Sequence, residues 1–401
     1  MKKKIIALAI AAAVSAPAFA DTSTVTVYGV ANMSYDLTST GGTNGFSSKK
    51  VSSNTSRIGF KGTEDLGGGL AAAWQIEQLV AMDNAGGTLA TRNTYLGLAG
   101  GFGTALLGRH DTPYKIATRG MDVFGDTIAD NRGIMGGGSN TLAAPATNGG
   151  VGSLNLTTGA ANAAGNSTGA AASFDGRQPD VVAYVSPAMS GFTGIIAYVA
   201  GAENQTLASQ SKGAAWSLAG LYGNGPLNVN FGYEVHDLGG APGSVGVPAL
   251  GATKLKESAW KIGAGYTMDA LTVNGVYEKT KDNFGALVGL AAGANTLGHN
   301  AYYLSGKYSL GEGAVKLAYA KAGNLSLSGS GVSGTGAKQL SIGYDHNLSK
   351  RTTAYALYTQ LSNDANATYA LGNAGIGNGS VFVNGAGSKP SAFSFGVKHT
   401  F

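Results

Sequence analysis

The chain has no cysteine. For an exported protein that excludes a disulfide framework, and it removes thiolate catalysis and thiolate metal sites altogether. Charge is scarce as well, at 12% of residues, and beyond the first twenty residues no apolar run reaches the length of a membrane helix. The histidines His110, His236, His299, His346 and His399 are scattered without H-x-x-x-H spacing, so no metal site is expected. A strong net charge is also missing. Lys2, Lys3 and Lys4 belong to a leader, which leaves 27 − 3 = 24 Lys and Arg against 22 Asp and Glu. A mature charge of about +2 gives no argument for nucleic-acid binding. The one fit to a nucleophile-elbow motif, Gly165 to Gly169, lies in a low-complexity stretch with no strand-to-helix turn. There is no P-loop, and no cofactor is implied.

What is present begins with an address. The basic Lys2 to Lys4, the short apolar run Ile5 to Val14 and the Ala18-Phe-Ala20 site make residues 1–20 a cleaved signal peptide, with the mature domain expected over 21–401. The mature chain is rich in glycine, 65 residues, and in tyrosine, 18 residues. Recurring aromatics argue against disorder. A chain that spans a membrane without apolar helices must be a closed β-barrel, because lipid leaves no backbone group unpaired.

Alternation supports that reading. From Leu227 to Val235 the odd positions are Leu, Val, Phe, Tyr and Val, and the even ones are Asn228, Asn230, Gly232 and Glu234. The last segment sets Phe393, Phe395, Val397 and Phe401 against Ser394, Gly396, Lys398 and Thr400. Period two with small or polar residues opposite an apolar face is the signature of a porin-type strand. Sixteen such segments can be marked: 25–37, 50–63, 69–82, 91–99, 102–109, 180–187, 191–201, 213–223, 226–238, 256–267, 270–281, 299–309, 313–323, 337–347, 352–363 and 391–401. Most are long enough to cross a bilayer on a tilt. Short turns such as Asn224-Gly225 and Met268-Asp269 alternate with long polar loops, as the two rims of an outer-membrane barrel require. The expected fold is therefore all-β, a 16-stranded antiparallel transmembrane barrel. Tyr28, Tyr266, Tyr277, Tyr308 and Phe401, near strand ends, suit interfacial girdles.

One connection stands out. About 70 residues separate the strand ending at Arg109 from the one after Pro179, and loops of that length are uncommon unless functional or disordered. The first half of 110–179 is charged and the second, Gly133 to Phe174, carries no charge after Gly133. The charged half is expected to fold into the barrel mouth as a constriction loop.

Several runs resemble the Gram-negative general porins of the neisserial and β-proteobacterial type. Ser56-Arg-Ile-Gly-Phe-Lys-Gly-Thr-Glu-Asp-Leu-Gly-Gly-Gly-Leu70 is similar to their second strand and turn, and Tyr95 to Arg109 to their fourth and fifth strands. Asp180 to Phe192 resembles the sixth strand and its turn, and the opening Val25 to Val30 and closing Phe393 to Phe401 match as well. The uncharged stretch within Gly133 to Phe174 is long for the family's third loop. The resemblance implies a homotrimer in the outer membrane, in contact with lipopolysaccharide and phospholipid. It also implies that the assembly machinery recognises Phe401, and that ions and small hydrophilic solutes pass by diffusion.

Selectivity in such a channel comes from charged side chains at its narrowest point. Ile58, Phe60 and Gly62 share one face, so Arg57 and Lys61 are expected to face the lumen, and Trp74 and Ile76 leave Gln75 and Glu77 inward. The loop supplies Asp111, Arg119, Asp122, Asp126, Asp130 and Arg132, and Arg109 ends the strand before it. By resemblance, a basic wall opposes an acidic loop, although Arg119 and Arg132 could pair with the aspartates locally. Arg92 shares parity with Leu96 and Leu98 and is expected to snorkel at the lipid interface. The basic pair on the second strand and the family together favour weak anion selectivity. Three rivals are a substrate-specific channel of the same fold, a membrane-embedded enzyme, and a receptor using the long loops.

Overall fold

A computed structural model describes residues 24–42, 45–83, 90–136, 174–200, 214–239, 255–283, 293–295, 298–327, 329–367, 369–372 and 385–401. The leader and the uncharged stretch from 137 to 173 lie outside the described residues.

Alternating side chains build one closed sheet. β1 (Thr24–Ser39) pairs on one side with β2 (Ser47–Ser53) and β3 (Arg57–Gly67). Antiparallel neighbours follow in chain order: β4 (Leu70–Leu79), β5 (Thr94–Gly100), β6 (Gly103–Asp111), β7 (Arg177–Val185), β8 (Phe192–Ala200), β9 (Ala214–Asn224) and β10 (Leu227–Gly239). The second half is β11 (Leu255–Met268), β12 (Leu271–Asp282), β13 (Asn300–Leu310), β14 (Gly313–Ala322), β17 (Ala337–Asn347), β18 (Thr352–Asn363) and β19 (Ser391–Thr400). A two-residue hairpin, β15 (Ser326–Leu327) with β16 (Ser330–Gly331), decorates the connection before β17. β19 returns to β1, with Val30 opposite Thr400, and closes the ring. Phe401 seals the seam through mutual backbone hydrogen bonds with Gly29.

All sixteen expected segments form strands, with one of them, 50–63, divided. Thr55 adopts a left-handed backbone, φ 52°, and separates β2 from β3. The freed groups are satisfied by β1: Asn54 N–H donates to the Asn32 carbonyl at 2.8 Å, and Asn32 N–H donates to Ser56 Oγ at 2.9 Å. Counted as one interrupted strand, β2 and β3 make the barrel sixteen-stranded, and the bulge re-aims Arg57 at its inner face.

β14 shows why the chain sits in a membrane. Val315, Leu317 and Tyr319 point out and are exposed, while Ala314, Lys316, Ala318, Ala320 and Ala322 point in and are buried. Period two forces that separation, and a belt of exposed apolar side chains around a closed barrel is stable only in lipid. Tyr266, Tyr308 and Phe401 are exposed on the outer face as expected of a girdle. Tyr28 is not among them. It shares parity with Val30 and Asn32 rather than with the exposed Val25 and Val27, and its hydroxyl donates to Glu77 at 3.0 Å inside.

The inner face is not uniformly polar. Met121, Phe124, Ile128, Ile134 and Met135 of the long β6–β7 connection form one apolar core with inward residues of β12, β13, β14, β17, β18 and β19, among them Ala301, Ala318, Ala320, Ala337 and Leu361. Tyr369 and Leu371, from the β18–β19 connection, complete it. Alanine on those strands leaves the volume that the two connections fill.

Candidate functional site

The charged half of the β6–β7 connection begins with a short helix, α1 (Pro113–Arg119). Thr112 caps it by accepting from Lys115 N–H, and Pro113 opens the first turn with the φ it already prefers. Gly232 and Gly263 allow the close approach of this segment. A Cβ on Gly232 would stand 3.1 Å from Ala117 Cβ and 3.2 Å from Tyr114 Cα, and one on Gly263 would overlap Met121 Sδ. A single 3₁₀ turn, Asn131–Gly133, follows, capped by Asp130.

From α1 the segment meets strand after strand. Tyr114 N–H donates to Ser217 Oγ on β9 at 2.9 Å, and Asn230 on β10 donates to the Ala117 carbonyl at 2.8 Å. Tyr303 on β13 donates to Asp122 at 2.8 Å, Gln339 on β17 donates to the Ala129 carbonyl at 3.1 Å, and Asn32 on β1 donates to the Asp126 carbonyl at 2.8 Å. Both feet of the segment converge on a buried polar cluster of β10–β12. Glu278 accepts from Tyr114 Oη at 2.7 Å and from Gly136 N–H at 2.8 Å. Lys261 pairs with Asp175 at 2.5 Å, and Phe174 stacks on His236 with ring centroids 4.8 Å apart. His236 has Glu257 Oε1 at 2.6 Å from Nδ1 and Glu234 Oε1 at 2.8 Å from Nε2.

Apart from Lys61 and Arg109, the charged residues expected at the constriction gather in two ion-paired groups. In the first, Arg119 reaches Asp130 at 2.6 Å, Asp126 at 3.0 Å and Asp122 at 3.5 Å, and Arg132 reaches Asp130 at 3.0 Å. Arg57 links this knot to the wall, 3.5 Å from Asp126 and 3.7 Å from Glu77. Glu77 also holds Arg92 at 2.5 Å. In the second group Asp111 pairs with Lys115 at 2.8 Å and Arg177 at 2.9 Å, and Arg177 also donates to Asn93. The first group has four cations and four anions; the second has two cations and one anion. The excess, 6 − 5 = +1, therefore sits at Asp111, Lys115 and Arg177.

Electrostatics follow from these neighbours. Burial pushes the Asp126 and Asp130 carboxyls up, but Arg119 outweighs it, with Arg57 and Arg132 beside Asp126 and Arg132 beside Asp130. Both end well below the usual carboxylate range. Asp122, buried and next to Asp130, is raised instead. Burial pulls the Lys115 ammonium down to about 8, against the opposing pull of Asp111.

The aspartates do not stand as a free acidic face opposite a basic wall. The side chains of Asp122 and Asp130 are fully buried within the knot, and Asp126 is the loop carboxylate that reaches Arg57. Lys61 lies farther along β3 with its ammonium 5.4 Å from the Tyr28 ring centroid, and Gln75 donates to the Asn93 carbonyl at 3.2 Å. Arg109 donates to the Thr91 carbonyl at 3.2 Å. Arg92 departs from its expected lipid-facing position. β5 begins at Thr94, so strand parity does not extend back to residue 92, and the side chain turns in to Glu77. Lys115 reads from sequence as one charge of the long connection but without a place in the site, because its helix is hidden in an all-β pattern, and Arg177, which follows a low-complexity stretch, was not singled out.

A closed sixteen-stranded barrel with an apolar outer belt and a charged, hydrogen-bonded interior defines an outer-membrane channel. The chain belongs to the Gram-negative porin family, whose model matches residues 7–367. It is 29% identical over 408 residues to "Outer membrane porin protein 32" of Delftia acidovorans, with both chains covered in full. It is 38% identical over 121 residues to "Major outer membrane protein P.IB" of Neisseria meningitidis serogroup B, covering 29% of this chain and 35% of that one. The fold superposes with TM-score 0.70 and 25% identity on an anion-selective porin from Comamonas acidovorans, covering 95% of this chain and all of that one. It also superposes with TM-score 0.61 and 15% identity on the trimer form of OmpT from Vibrio cholerae, a likeness of fold alone. The protein is an outer-membrane diffusion channel of a Gram-negative bacterium.

Proposed function

We propose that residues 112–136 narrow the channel and that the opening left beside β3–β7 passes ions and small hydrophilic solutes with a weak preference for anions. Arg57, Arg92, Lys115, Arg119 and Arg177 would line that opening, with Glu77, Asp111 and Asp126 between them. The observation that carries this reading is the uneven pairing: one cation in excess, at Asp111, Lys115 and Arg177. A ring of that sign concentrates anions at the narrowest point. The solved relative named as anion-selective supports the same sign.

On this reading residues 1–20 are removed on export, 110–179 is the constriction loop, and three copies assemble in contact with lipopolysaccharide and phospholipid. Phe401 is the mark read by the assembly machinery, and the protein performs no covalent chemistry. Liposome swelling tests it: neutral sugars should enter at rates that fall smoothly with size, and anionic solutes faster than cationic ones of equal size. Saturation by a single solute would favour the substrate-specific alternative.

A further inference from the structure

Passage of ions and solutes needs no covalent step, but the inner wall carries the parts for one step on the chain itself. They lie where the β6–β7 connection returns to the sheet. Lys261 on β11 is buried on the inner face, directly opposite Glu278 on β12. Asp175, at the returning foot of the connection and 86 positions away, sets Oδ1 2.5 Å from Lys261 Nζ. The two side chains are 1% and 7% exposed. Two other lysine–aspartate pairs inside the barrel are looser and wetter. Lys115 and Asp111 stand 2.8 Å apart and Lys316 and Asp345 2.7 Å apart, each with its aspartate about a fifth exposed.

The surroundings of the pair exclude water and add a second acid. The Tyr114 ring lies over the lysine nitrogen, 4.0 Å from Nζ to centroid, and Phe174 tilts against Tyr114 with centroids 5.9 Å apart. Gly136 has φ 77°, and a Cβ there would stand 2.8 Å from Asp175 Cβ, so glycine lets the backbone close on the aspartate. Glu278 is fully buried and held in place by Tyr114 Oη at 2.7 Å and Gly136 N–H at 2.8 Å. Two carboxyls thus face one lysine nitrogen. A buried ion pair is stable only when further hydrogen bonds serve its spare atoms, and a second buried carboxylate adds a charge that the pair does not balance. A buried carboxyl beside an amine and an acid is instead the arrangement that moves a proton between them.

We propose that Lys261 and Asp175 condense to an intramolecular amide that ties the returning foot of the connection to β11, with Glu278 carrying the proton. A nitrogen hydrogen-bonded this closely to a carboxylate oxygen is about 3–3.5 Å from the carbon, the near-attack range. The ammonium first passes one proton to the aspartate. The free electron pair on Nζ attacks Asp175 Cγ, the Nζ–Cγ bond forms, and Glu278 takes a second proton from the nitrogen. It returns that proton to the departing hydroxyl as the Cγ–O bond breaks, and water leaves. Ammonium and carboxylate go in, amide and water come out, with no oxidant, no activated group and no change of net charge. The product removes two buried charges that the ion pair left in the wall.

The test is a tryptic peptide map, by mass spectrometry, of the folded protein purified from outer membranes. The amide blocks cleavage after Lys261, so residues 133–177 and 257–279 should appear joined, lighter by one water than the two together. Recovery of 133–177, 257–261 and 262–279 as separate, unmodified peptides would overturn the assignment. E278Q keeps the shape of the side chain without its proton, and joining should slow by about a hundredfold or more; an unchanged rate would overturn the role of Glu278. K261R keeps a cation but offers no amine, and a link that persisted in it would overturn the role of Lys261. The map of the unmodified protein decides the matter even if a variant fails to fold. It reads covalent structure alone, so separate peptides would leave the channel reading standing, and conductance tests that on its own.

Discussion

Arg119→Ala removes the one cation that touches Asp122, Asp126 and Asp130 together. Two of those carboxylates are buried, so their charge loses its main compensation without gaining water. Removing one partner of a buried ion pair costs about 3–5 kcal/mol. Part of that is retained here. Arg132 still holds Asp130, Arg57 still reaches Asp126, and Asp122 still accepts from Tyr303 and from Asn131 N–H. Arg119 is also partly solvated, with its side chain 23% exposed. A net cost of about 3 kcal/mol falls on the segment alone, since the barrel ladder does not involve Arg119. That raises the population of displaced loop conformers on the order of a hundredfold. Single-channel recording should show an open current with excess noise and frequent partial closures, at unchanged heat resistance of the barrel. Arg119→Lys, with one ammonium in place of a planar fork, should fall between the two. A quiet R119A channel with native conductance would show that the knot does not hold the loop.

Selectivity should respond to the wall arginines. Arg57→Ser and Arg177→Ser should each move the reversal potential in a salt gradient toward cations, and Glu77→Gln should move it toward anions; no shift in R177S would remove the second ion-paired group from the constriction. Anion preference should also fall with rising pH. Lys115, held down to about 8, is charged at pH 7 and loses its proton as pH passes through that value, leaving one positive charge fewer beside Asp111 and Arg177. Lys115→Arg should abolish that step, and persistence of the step in K115R would assign it elsewhere. Gly232→Val, which places branches against α1, should displace the helix at a cost of about 1–3 kcal/mol and alter conductance more than Gly232→Ala does. A native conductance in G232V would mean that β10 does not position the segment.

The barrel was legible because its rule is local. Period two, turn chemistry and alternating loop lengths can be read a strand at a time, and Val315, Leu317 and Tyr319 announce their face without reference to any partner. The site was legible only in part. Arg57, Glu77 and the loop aspartates could be named from parity and charge, but their partners could not. The contact between Tyr114 and Glu278 spans 164 positions, and nothing near either residue encodes it. Nothing local marks the inward alanines Ala318, Ala320 and Ala322 as the floor on which Met121, Phe124 and Ile128 pack. Tyr28 and Arg92 were misplaced for a common reason. A residue near a strand end was assigned a face or a girdle role from its position, and the partner that decided its direction, Glu77, lies on another strand. One signal was available and unused: Thr112 followed by Pro113, with Arg119 in the last turn, is a helix start and stop inside the charged stretch.

The most direct test of the account is single-channel recording of the purified protein in a planar bilayer under a salt gradient. Large, ohmic steps are expected, with a reversal potential of the sign for anions that weakens above about pH 8 as Lys115 loses its charge. A correctly folded barrel that conducts no ions, or one whose reversal potential marks a cation channel at pH 7, would contradict it.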